Sequence, residues 1–348
     1  MKMKAAILSE LNKPLIIGQV ELPDDLLPGQ VLVKVLYSGI CGSQLGEIDG
    51  KKGKDNYLPH LLGHEGSGEV IKIGPGVQFV KQGDLVVMHW RKGQGIDAPC
   101  PKYLWEGKKL NAGFVTTFNE YAIVSENRLT LLPVDFPLDI APLLGCAVTT
   151  GLGVINNNAK VKIGESVVVL GAGGVGLNII QGATMSGAYP VVAVDIHDNR
   201  LEMASKFGAT HLVNSVNESD LYDKIKSVIE ESNVDVVIDN TGNTNLINMA
   251  YTLTKPDGRT ILVGVPKKDD KISIFSLDLH FGKIITGSHG GETQPVVDIP
   301  RYIKLYNNKK LLLDDLITDR YSIDDINLAI DNMKNGKTAG RCLIEMHK

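Results

Sequence analysis

The chain has 348 residues, of which 43% are hydrophobic and 22% charged, so it contains ample material for a packed core. At roughly 100–200 residues per domain, this length predicts two domains. The formal net charge of −4 and the absence of a long basic stretch argue against nucleic acid as a partner. No apolar run approaches the roughly 18 residues of a membrane span, and the N-terminus lacks a signal-peptide pattern. We therefore expect a cytoplasmic protein with no membrane partner.

The first 150 or so residues are predicted to form an all-β, barrel-like domain. Residues 31–37 and 68–73 alternate between apolar and polar side chains, as half-buried strands do. Glycine and proline turn signals, such as Pro28-Gly29 and Gly74-Pro75-Gly76, separate these strands. No long helical period is visible before residue 142, so helices are not expected in this region.

The pattern changes after about residue 150, where short apolar runs no longer alternate with polar residues. Such runs are typical of strands that are covered on both faces. The predicted strands are 167–170, 191–194, 234–238, 261–265 and 283–287, and the predicted helices between them include 177–185, 199–207 and 220–231. Strands that alternate with helices indicate βαβ units and a parallel sheet.

The segment after about residue 291 is predicted to contain two helices and a final strand. The helices are expected at 296–306 and 323–334, and the strand at 341–346. Ser322 stands at a plausible N-cap of the second helix and Gly336 follows its end.

A glycine-rich motif lies between a predicted strand and a predicted helix. It consists of Gly171, Ala172, Gly173, Gly174, Val175 and Gly176, and it fits G-x-G-x-x-G. The first glycine allows a tight turn, the second lets the backbone approach a pyrophosphate, and the last lets helix and strand pack closely. The helix N-terminus offers free N–H groups to phosphates. The motif is therefore predicted to bind a dinucleotide.

The acidic residue expected about 20 residues after this motif is Asp195, at the end of the next predicted strand. A carboxylate there accepts a hydrogen bond from the ribose 2′-hydroxyl and repels a 2′-phosphate. Arg200 stands close by and would accommodate such a phosphate. The balance predicts NAD, with NADP as the less favoured coenzyme.

Two cysteines and a histidine in glycine-rich surroundings form a candidate metal site: Cys41, His64 and Cys146. Two thiolates and one imidazole suit tetrahedral zinc with one position left open, which is the catalytic arrangement. Spacing alone does not show that these residues meet in space. The four cysteines are far apart in a chain without a secretory signal, so no disulfide framework is expected.

The chain resembles the zinc-containing medium-chain dehydrogenase/reductase family, which includes alcohol, polyol and threonine dehydrogenases. The residues that carry the resemblance run nearly end to end. They are residues 38–43, 63–68, 80–84, 118–121, 144–146, the glycine motif, 263–266 and 340–341.

The resemblance implies that zinc is held by Cys41, His64 and Cys146, with Glu65 just behind the metal. It makes Ser43 the hydroxyl that hydrogen-bonds the substrate oxygen and relays its proton. It places Arg341 near the coenzyme pyrophosphate.

The resemblance also implies the domain organisation. A Rossmann domain, a doubly wound parallel sheet, is expected at 148–291. A discontinuous β-rich GroES-like catalytic domain is expected at 1–147, completed by 292–348, with the active site in the cleft between the two. The family further implies a homodimer or a homotetramer that acts on a small-molecule alcohol or carbonyl compound.

The chain departs from the family where many relatives have four closely spaced cysteines that bind a structural zinc. The corresponding stretch, residues 89–111, contains only Cys100. One thiol cannot build that site, so one catalytic zinc and no structural zinc are predicted. We expect packing by Trp90, Tyr103 and Trp105 to hold this segment.

The proton relay also differs from the family pattern. Gln44 replaces an aspartate that often supports the zinc-bound histidine. We expect its neutral amide still to accept the histidine N–H, but to make the imidazole less basic. Gly46 replaces a histidine that often completes the relay, so Ser43 is expected to release its proton through water or the coenzyme ribose. Trp90 and Phe118 match positions that line the substrate pocket in relatives, although either residue is also suited to the core.

These features predict a zinc-dependent enzyme that transfers a hydride between an alcohol and NAD. The substrate is an alcohol, a polyol or a sugar, with phosphorylated sugars left open. The alternatives are a zinc-free enone or quinone reductase of the same fold and a non-catalytic binding member.

Overall fold

The computed structural model describes residues 1–216, 220–229 and 233–347. The chain divides into two compact units, one formed by 1–146 together with 294–348 and the other by 147–293. These borders lie within two residues of the predicted domain borders. The functions of the two units stay predictions.

The elements follow one another from predominantly β structure to alternating β and α structure. The first stretch contains β1 (Lys2–Leu8), β2 (Ile16–Glu21), β3 (Gln30–Gly39), α1 (Gly42–Ile48), β4 (His60–Leu61), β5 (Glu65–Ile73), β6 (Leu85–His89), β7 (Tyr103–Trp105), β8 (Lys108–Leu110), β9 (Tyr121–Ser125), β10 (Leu129–Leu131) and α2 (Ala141–Leu144). The second unit contains α3 (Ala147–Gly153), β11 (Val167–Leu170), α4 (Gly174–Met185), β12 (Val191–Asp195), α5 (Asp198–Lys206), β13 (His211–Asn214), α6 (Leu221–Ile229), β14 (Val234–Asp239), α7 (Thr244–Leu253), β15 (Thr254–Leu262) and β16 (Ile284–Gly287). The C-terminal segment adds α8 (Pro295–Asn307), β17 (Ile317–Ser322), α9 (Ile326–Lys334) and β18 (Arg341–Glu345).

The first unit is built on two largely antiparallel sheets. One has the strand order β4-β1-β2-β7-β8, and the other has the order β10-β6-β5-β3-β18-β17 with β9 paired to β3. The last strand, β18, pairs with β3 through Leu343 opposite Gly39. The C-terminal segment therefore completes the sheet that the N-terminal strands begin, and this unit is discontinuous in sequence.

The second unit is built on a six-stranded parallel sheet in the order β13-β12-β11-β14-β15-β16. In chain order this is 3-2-1-4-5-6, the doubly wound order of dinucleotide-binding sheets. Val168 and Val237 are fully buried, as expected for strands that have both faces covered. The order reverses between β11 and β14, and ligands of such sheets bind beyond the carboxyl ends of strands at this switch point.

The structure corrects several predicted elements. The region before residue 142 is not all-β, because the short helix α1 follows Cys41. The strand predicted at 261–265 ends at Leu262, because the N–H groups of Val263 and Gly264 both donate to the Asp239 carbonyl. The hydroxyl of Ser322 donates to Asp325 and does not cap the helix backbone.

The remaining predicted elements match the structure closely, apart from the end of one helix. The helix predicted at 220–231 is observed as α6, and residues 230 and 231 lie outside the described residues. Within the described part of the chain, no helix is both long and apolar enough to cross a membrane.

Candidate active site

Three segments of the first unit bring the predicted metal ligands together. Cys41 lies between β3 and α1, His64 immediately before β5, and Cys146 just after α2. The ligand atoms of the three side chains all lie within 4.8 Å of one another, and the two sulfurs are 3.9 Å apart. Gly63 makes the turn that presents the histidine, with φ +89°, a backbone conformation that favours glycine.

The geometry of this cluster fits zinc. Two sulfurs bound tetrahedrally at about 2.3 Å from zinc would be about 3.8 Å apart, close to the observed separation. The Nε2 atom of His64 is buried and has no hydrogen-bond partner within the described chain. A buried, unpartnered nitrogen is costly unless it binds something, which makes Nε2 the natural third ligand atom.

The electrostatics of the cluster favour thiolate. The pKa of Cys41 lies well below the usual thiol range, first because of its hydrogen bond with the Cys146 sulfur. Burial opposes this shift, whereas His64 and Arg341 add to it. Thiolate is the form of cysteine that binds metals.

Glu65 and Arg341 form a buried ion pair next to the cluster. Glu65 begins β5 and is 0% exposed, and Arg341 begins β18 and is 3% exposed. The sequence predicted Glu65 behind the metal and Arg341 near the coenzyme, but it did not predict that the two side chains pair. The contact of Arg341 with a coenzyme stays a prediction.

Gln44 joins two of the metal-site residues. It lies in the first turn of α1 and is 2% exposed. Its Oε1 accepts the backbone N–H of Cys41 at 2.9 Å, and its Nε2 contacts Nδ1 of His64. Proximity to the histidine was expected, whereas the bond to the cysteine backbone was missed, because the helix that creates it was not predicted.

The other predicted site residues fall into different environments. The Oγ atom of Ser43 is buried and has no hydrogen-bond partner among the described residues, so it is available to a ligand. The ring of Trp90 lies 6.5 Å from that of His64, so a pocket role stays a prediction. Phe118 is 0% exposed and belongs to the hydrophobic core of the unit. The core was one of the two places expected for Phe118, and a contact with the substrate stays a prediction.

The glycine motif in the second unit has the geometry of a phosphate loop. Gly171 has φ +94°, and a Cβ on Gly176 would lie 2.0 Å from the carbonyl oxygen of Gly171. A Cβ on Gly173, by contrast, would meet nothing within 4 Å, so open space adjoins the backbone there. Helix α4 starts at Gly174 and Val175, directly after this opening. The loop therefore presents helix N–H groups at a backbone surface that a phosphate can approach.

Asp195 lies at the carboxyl end of β12 and supports the same loop. Its Oδ2 accepts the N–H of Ala172 at 2.8 Å, and its Oδ1 accepts the N–H of His197 at 3.0 Å. Arg200 lies 3.8 Å from Oδ2. The structure thus groups the acidic residue, the arginine and the glycine motif in one unit.

The segment 89–111 is anchored by polar contacts as well as packing. Tyr103 is fully buried, and Trp105 packs against the core, as predicted. The sequence did not reveal the role of Glu126, whose carboxylate accepts backbone N–H groups from Gln78, Phe79 and Ile96. These amides are distant from Glu126 in the sequence, so no local pattern indicates which carboxylate accepts them.

A second group of metal-ligating residue types lies outside this centre. Glu47, Asp55 and His60 have side-chain ligand atoms within 4.8 Å of one another. Nε2 of His60 lies 2.9 Å from Asp55, and Nδ1 lies 3.0 Å from the Leu61 carbonyl. Both ring nitrogens already have partners, so hydrogen bonds within the chain account for this group.

Two family models match the chain. The model described as "Alcohol dehydrogenase GroES-like domain" matches residues 27–134, and the model described as "Zinc-binding dehydrogenase" matches residues 174–308. The first match lies within the unit that contains the cysteine–histidine cluster, and the second begins in the glycine motif.

Curated relatives and solved structures match over nearly the whole chain. An S-(hydroxymethyl)glutathione dehydrogenase of Paracoccus denitrificans is 30% identical, with 97% of this chain and 98% of the relative covered. An alcohol dehydrogenase-like protein of Arabidopsis thaliana is 32% identical, with 99% and 96% covered. The crystal structure of benzyl alcohol dehydrogenase from Acinetobacter calcoaceticus superposes with a TM-score of 0.89 at 29% identity, covering 99% of both chains.

Proposed function

The chain belongs to the zinc-containing medium-chain dehydrogenase/reductase family, and we propose that it is an NAD-linked alcohol dehydrogenase with one catalytic zinc. The observation that carries this proposal is the convergence of Cys41, His64 and Cys146, with the histidine Nε2 buried and unpartnered. The zinc-free reductase of the same fold is not favoured, because this ligand set is intact and its geometry fits the metal.

The proposal divides the chemistry between the two units. The first unit, 1–146 with 294–348, is proposed to hold the metal, and the second, 147–293, to bind the coenzyme. Zinc, when bound, supplies a Lewis acid that favours loss of the alcohol proton. NAD, when bound, accepts the hydride.

The residues of the chain position the substrate and receive its proton. The buried Oγ of Ser43 has no hydrogen-bond partner among the described residues and is proposed to accept the alcohol proton and pass it on. No side chain follows it in the relay at Gly46, so water or the coenzyme ribose is proposed as the next acceptor. The ion pair of Glu65 with Arg341 neutralises a buried carboxylate next to the cluster.

The glycine motif and Asp195 are proposed to bind NAD. The open backbone at Gly173 admits the pyrophosphate, and the carboxylate at the end of β12 discriminates against a 2′-phosphate. The substrate is proposed to be an alcohol, and the names of the relatives make S-(hydroxymethyl)glutathione and benzyl alcohol the first compounds to test. Polyols and sugars, free or phosphorylated, complete the panel. The assembly is proposed to be a homodimer or a homotetramer.

The decisive experiment combines metal content with turnover. Protein purified without added metal is analysed for zinc by elemental mass spectrometry and assayed for NADH formation across the panel. We expect about one zinc per chain and steady turnover. Cys146→Ser should lower both, because a hydroxyl is a far poorer zinc ligand than a thiolate.

The matched control is Cys100→Ser, which changes an exposed cysteine outside the cluster. It should retain the zinc content and the activity of the parent protein. Folded parent protein with near-zero zinc, or zinc-loaded protein without turnover on any member of the panel, would contradict the proposal.

A further inference from the structure

Gln44 contacts both Cys41 and His64 through one side chain. Its carboxamide has a single acceptor atom, Oε1, and two N–H donors on Nε2. Oε1 is already used by the backbone N–H of Cys41, which can only donate. The group that faces Nδ1 of His64 is therefore the amide nitrogen.

Zinc binding places a specific demand on that contact. When Nε2 of a neutral histidine binds a metal, the ring proton resides on Nδ1, which then needs an acceptor. The amide nitrogen of Gln44 is a donor, so two donors face each other. Turning the amide over moves the conflict to the N–H of Cys41, and any other arrangement requires the single oxygen Oε1 to accept both N–H groups.

A carboxylate of the same length has no such conflict. Its two oxygens would accept the N–H of Cys41 and the Nδ1–H of His64 at the same time. Because Gln44 is 2% exposed, water has little access to complete the unmade bond. The contact between two donors thus results from the amide group of Gln44. A carboxylate side chain of the same length would remove it.

We propose that Gln44 is a positioning residue that limits the zinc affinity of the site, because it leaves the histidine ligand without an acceptor for its second ring proton. The site thereby binds zinc more weakly than the same three ligands would if Nδ1–H of His64 had an acceptor. Loss of a partner behind a metal-bound histidine typically changes metal affinity by about 10–100-fold, which sets the size of the expected effect. This inference rests on the proposed zinc-dependent function.

The experiment compares the parent protein with Gln44→Glu by competition for zinc against a chromophoric chelator. We expect Gln44→Glu to lower the zinc dissociation constant by about tenfold or more. The matched control is Glu47→Gln, which alters one charge on the same helix at a residue that contacts His60 and not His64. Its dissociation constant should stay within about twofold of the parent value, since that charge is screened by solvent.

A second readout separates hydrogen bonding from charge. In zinc-loaded protein labelled with ¹⁵N-histidine, Gln44→Glu should produce a zinc-dependent, slowly exchanging Nδ1–H resonance that the parent lacks. An unchanged dissociation constant, or tighter binding without this resonance, would overturn the inference. If Gln44→Glu does not fold, the parent protein decides: a slowly exchanging Nδ1–H resonance of His64 in its zinc-loaded form would overturn the inference. A parent protein that binds no zinc at all would instead refute the proposed function.

Discussion

Asp195 is the residue proposed to select NAD over NADP. Its surroundings explain why one negative charge should determine this selectivity. Its carboxylate is 6% exposed, and it accepts two loop N–H groups. Arg200 lies 3.8 Å away and is engaged by the same carboxylate. Removal of the negative charge would free the guanidinium for a 2′-phosphate and remove the repulsion that the phosphate meets.

Asp195→Asn is therefore expected to raise the ratio of kcat/KM for NADP to that for NAD by about tenfold, equivalent to about 1.4 kcal/mol. The asparagine keeps an acceptor for only one of the two loop N–H groups, but loss of the other bond affects both coenzymes alike, so the ratio reports mainly on charge. The measurement is the kcat/KM ratio for the two coenzymes. Asp198→Asn, at an exposed position in the same region, is the control and should leave the ratio unchanged. A ratio that moves less than twofold in Asp195→Asn would remove Asp195 as the determinant.

His89 is a buried residue whose protonation should make stability depend on pH. It is 1% exposed, and burial lowers its pKa to about 4, with Arg128 adding to the shift and the Arg91 carbonyl opposing it. Its ring bonds the Arg91 carbonyl and the Thr130 hydroxyl, both compatible with a neutral imidazole. The unfolded chain takes up a proton near pH 6.5, whereas the folded chain does so only near pH 4.

The stability contributed by neutral His89 is thus fully present above pH 6.5 and is lost as the pH falls towards 4. The difference amounts to up to about 3 kcal/mol in the free energy of unfolding. His89→Asn keeps a hydrogen-bond donor but cannot titrate. It should therefore make the free energy of unfolding depend less on pH in this range. Urea unfolding of both proteins between pH 4.5 and 7 measures the effect, since other groups titrate alike in both. Parallel profiles would show that His89 does not titrate differently on folding.

At the scale of elements, Glu126 anchors the segment 89–111 through hydrogen bonds to backbone amides. It lies in a single 3-10 turn between β9 and β10 and is 1% exposed. Its two oxygens accept three backbone N–H groups from two separate loops. Ser125 adds a bond to the N–H of Ala98 from the same turn. One turn therefore ties the segment to the sheet of the first unit.

Glu126→Gln is expected to lower the free energy of unfolding by about 1–3 kcal/mol, because one carboxylate oxygen becomes a donor and leaves buried N–H groups unpaired. Chemical denaturation measures the loss, and limited proteolysis should show faster cleavage within 89–111. Glu106→Gln, at an exposed turn residue of the same segment, should cost less than about 0.5 kcal/mol. Equal stability of the two variants would mean that packing alone holds the segment.

At the scale of the whole molecule, one edge of the second unit combines a terminal strand with exposed apolar side chains. Strand β16 pairs only with β15 among the described strands, so its other edge is not covered within the described chain. The neighbouring residues Phe275 and Phe281 are 66% and 71% exposed, and Ile284 on the strand itself is 49% exposed. An open strand edge beside large exposed apolar side chains is costly in an isolated chain and favours pairing with a second copy.

The protein is therefore expected to sediment as a multiple of its 37.7 kDa chain mass. The double substitution Phe275→Glu and Phe281→Glu should shift it towards that single-chain mass, because it introduces charges into the apolar surface. Analytical ultracentrifugation measures the change. Val134→Glu alters an 86% exposed apolar residue of the first unit and should leave the assembly intact. An oligomer that survives the double substitution would place its interface elsewhere.

The sequence by itself determined the parallel sheet and the glycine loop that follows its first strand. Val167–Leu170 is an uninterrupted apolar run followed at once by Gly171, so strand, turn and helix are all specified by neighbouring residues. Elements that are specified by neighbouring residues can be predicted without knowledge of the rest of the fold. The candidate metal ligands were also recognisable, because two thiols and an imidazole in glycine-rich turns are the residue types that zinc requires.

Only the tertiary structure decided which side chains meet. Helix α1 spans only 42–48, too short for a helical period to stand out, and so the sequence hid the double contact of Gln44. The ion pair of Glu65 with Arg341 joins residues 276 positions apart through the pairing of β3 with β5 and β18. Phe118 has the same apolar character in a pocket as in a core, and only its packing placed it in the core. Contacts of this kind depend on strand order and on the path of the chain, which no local pattern encodes.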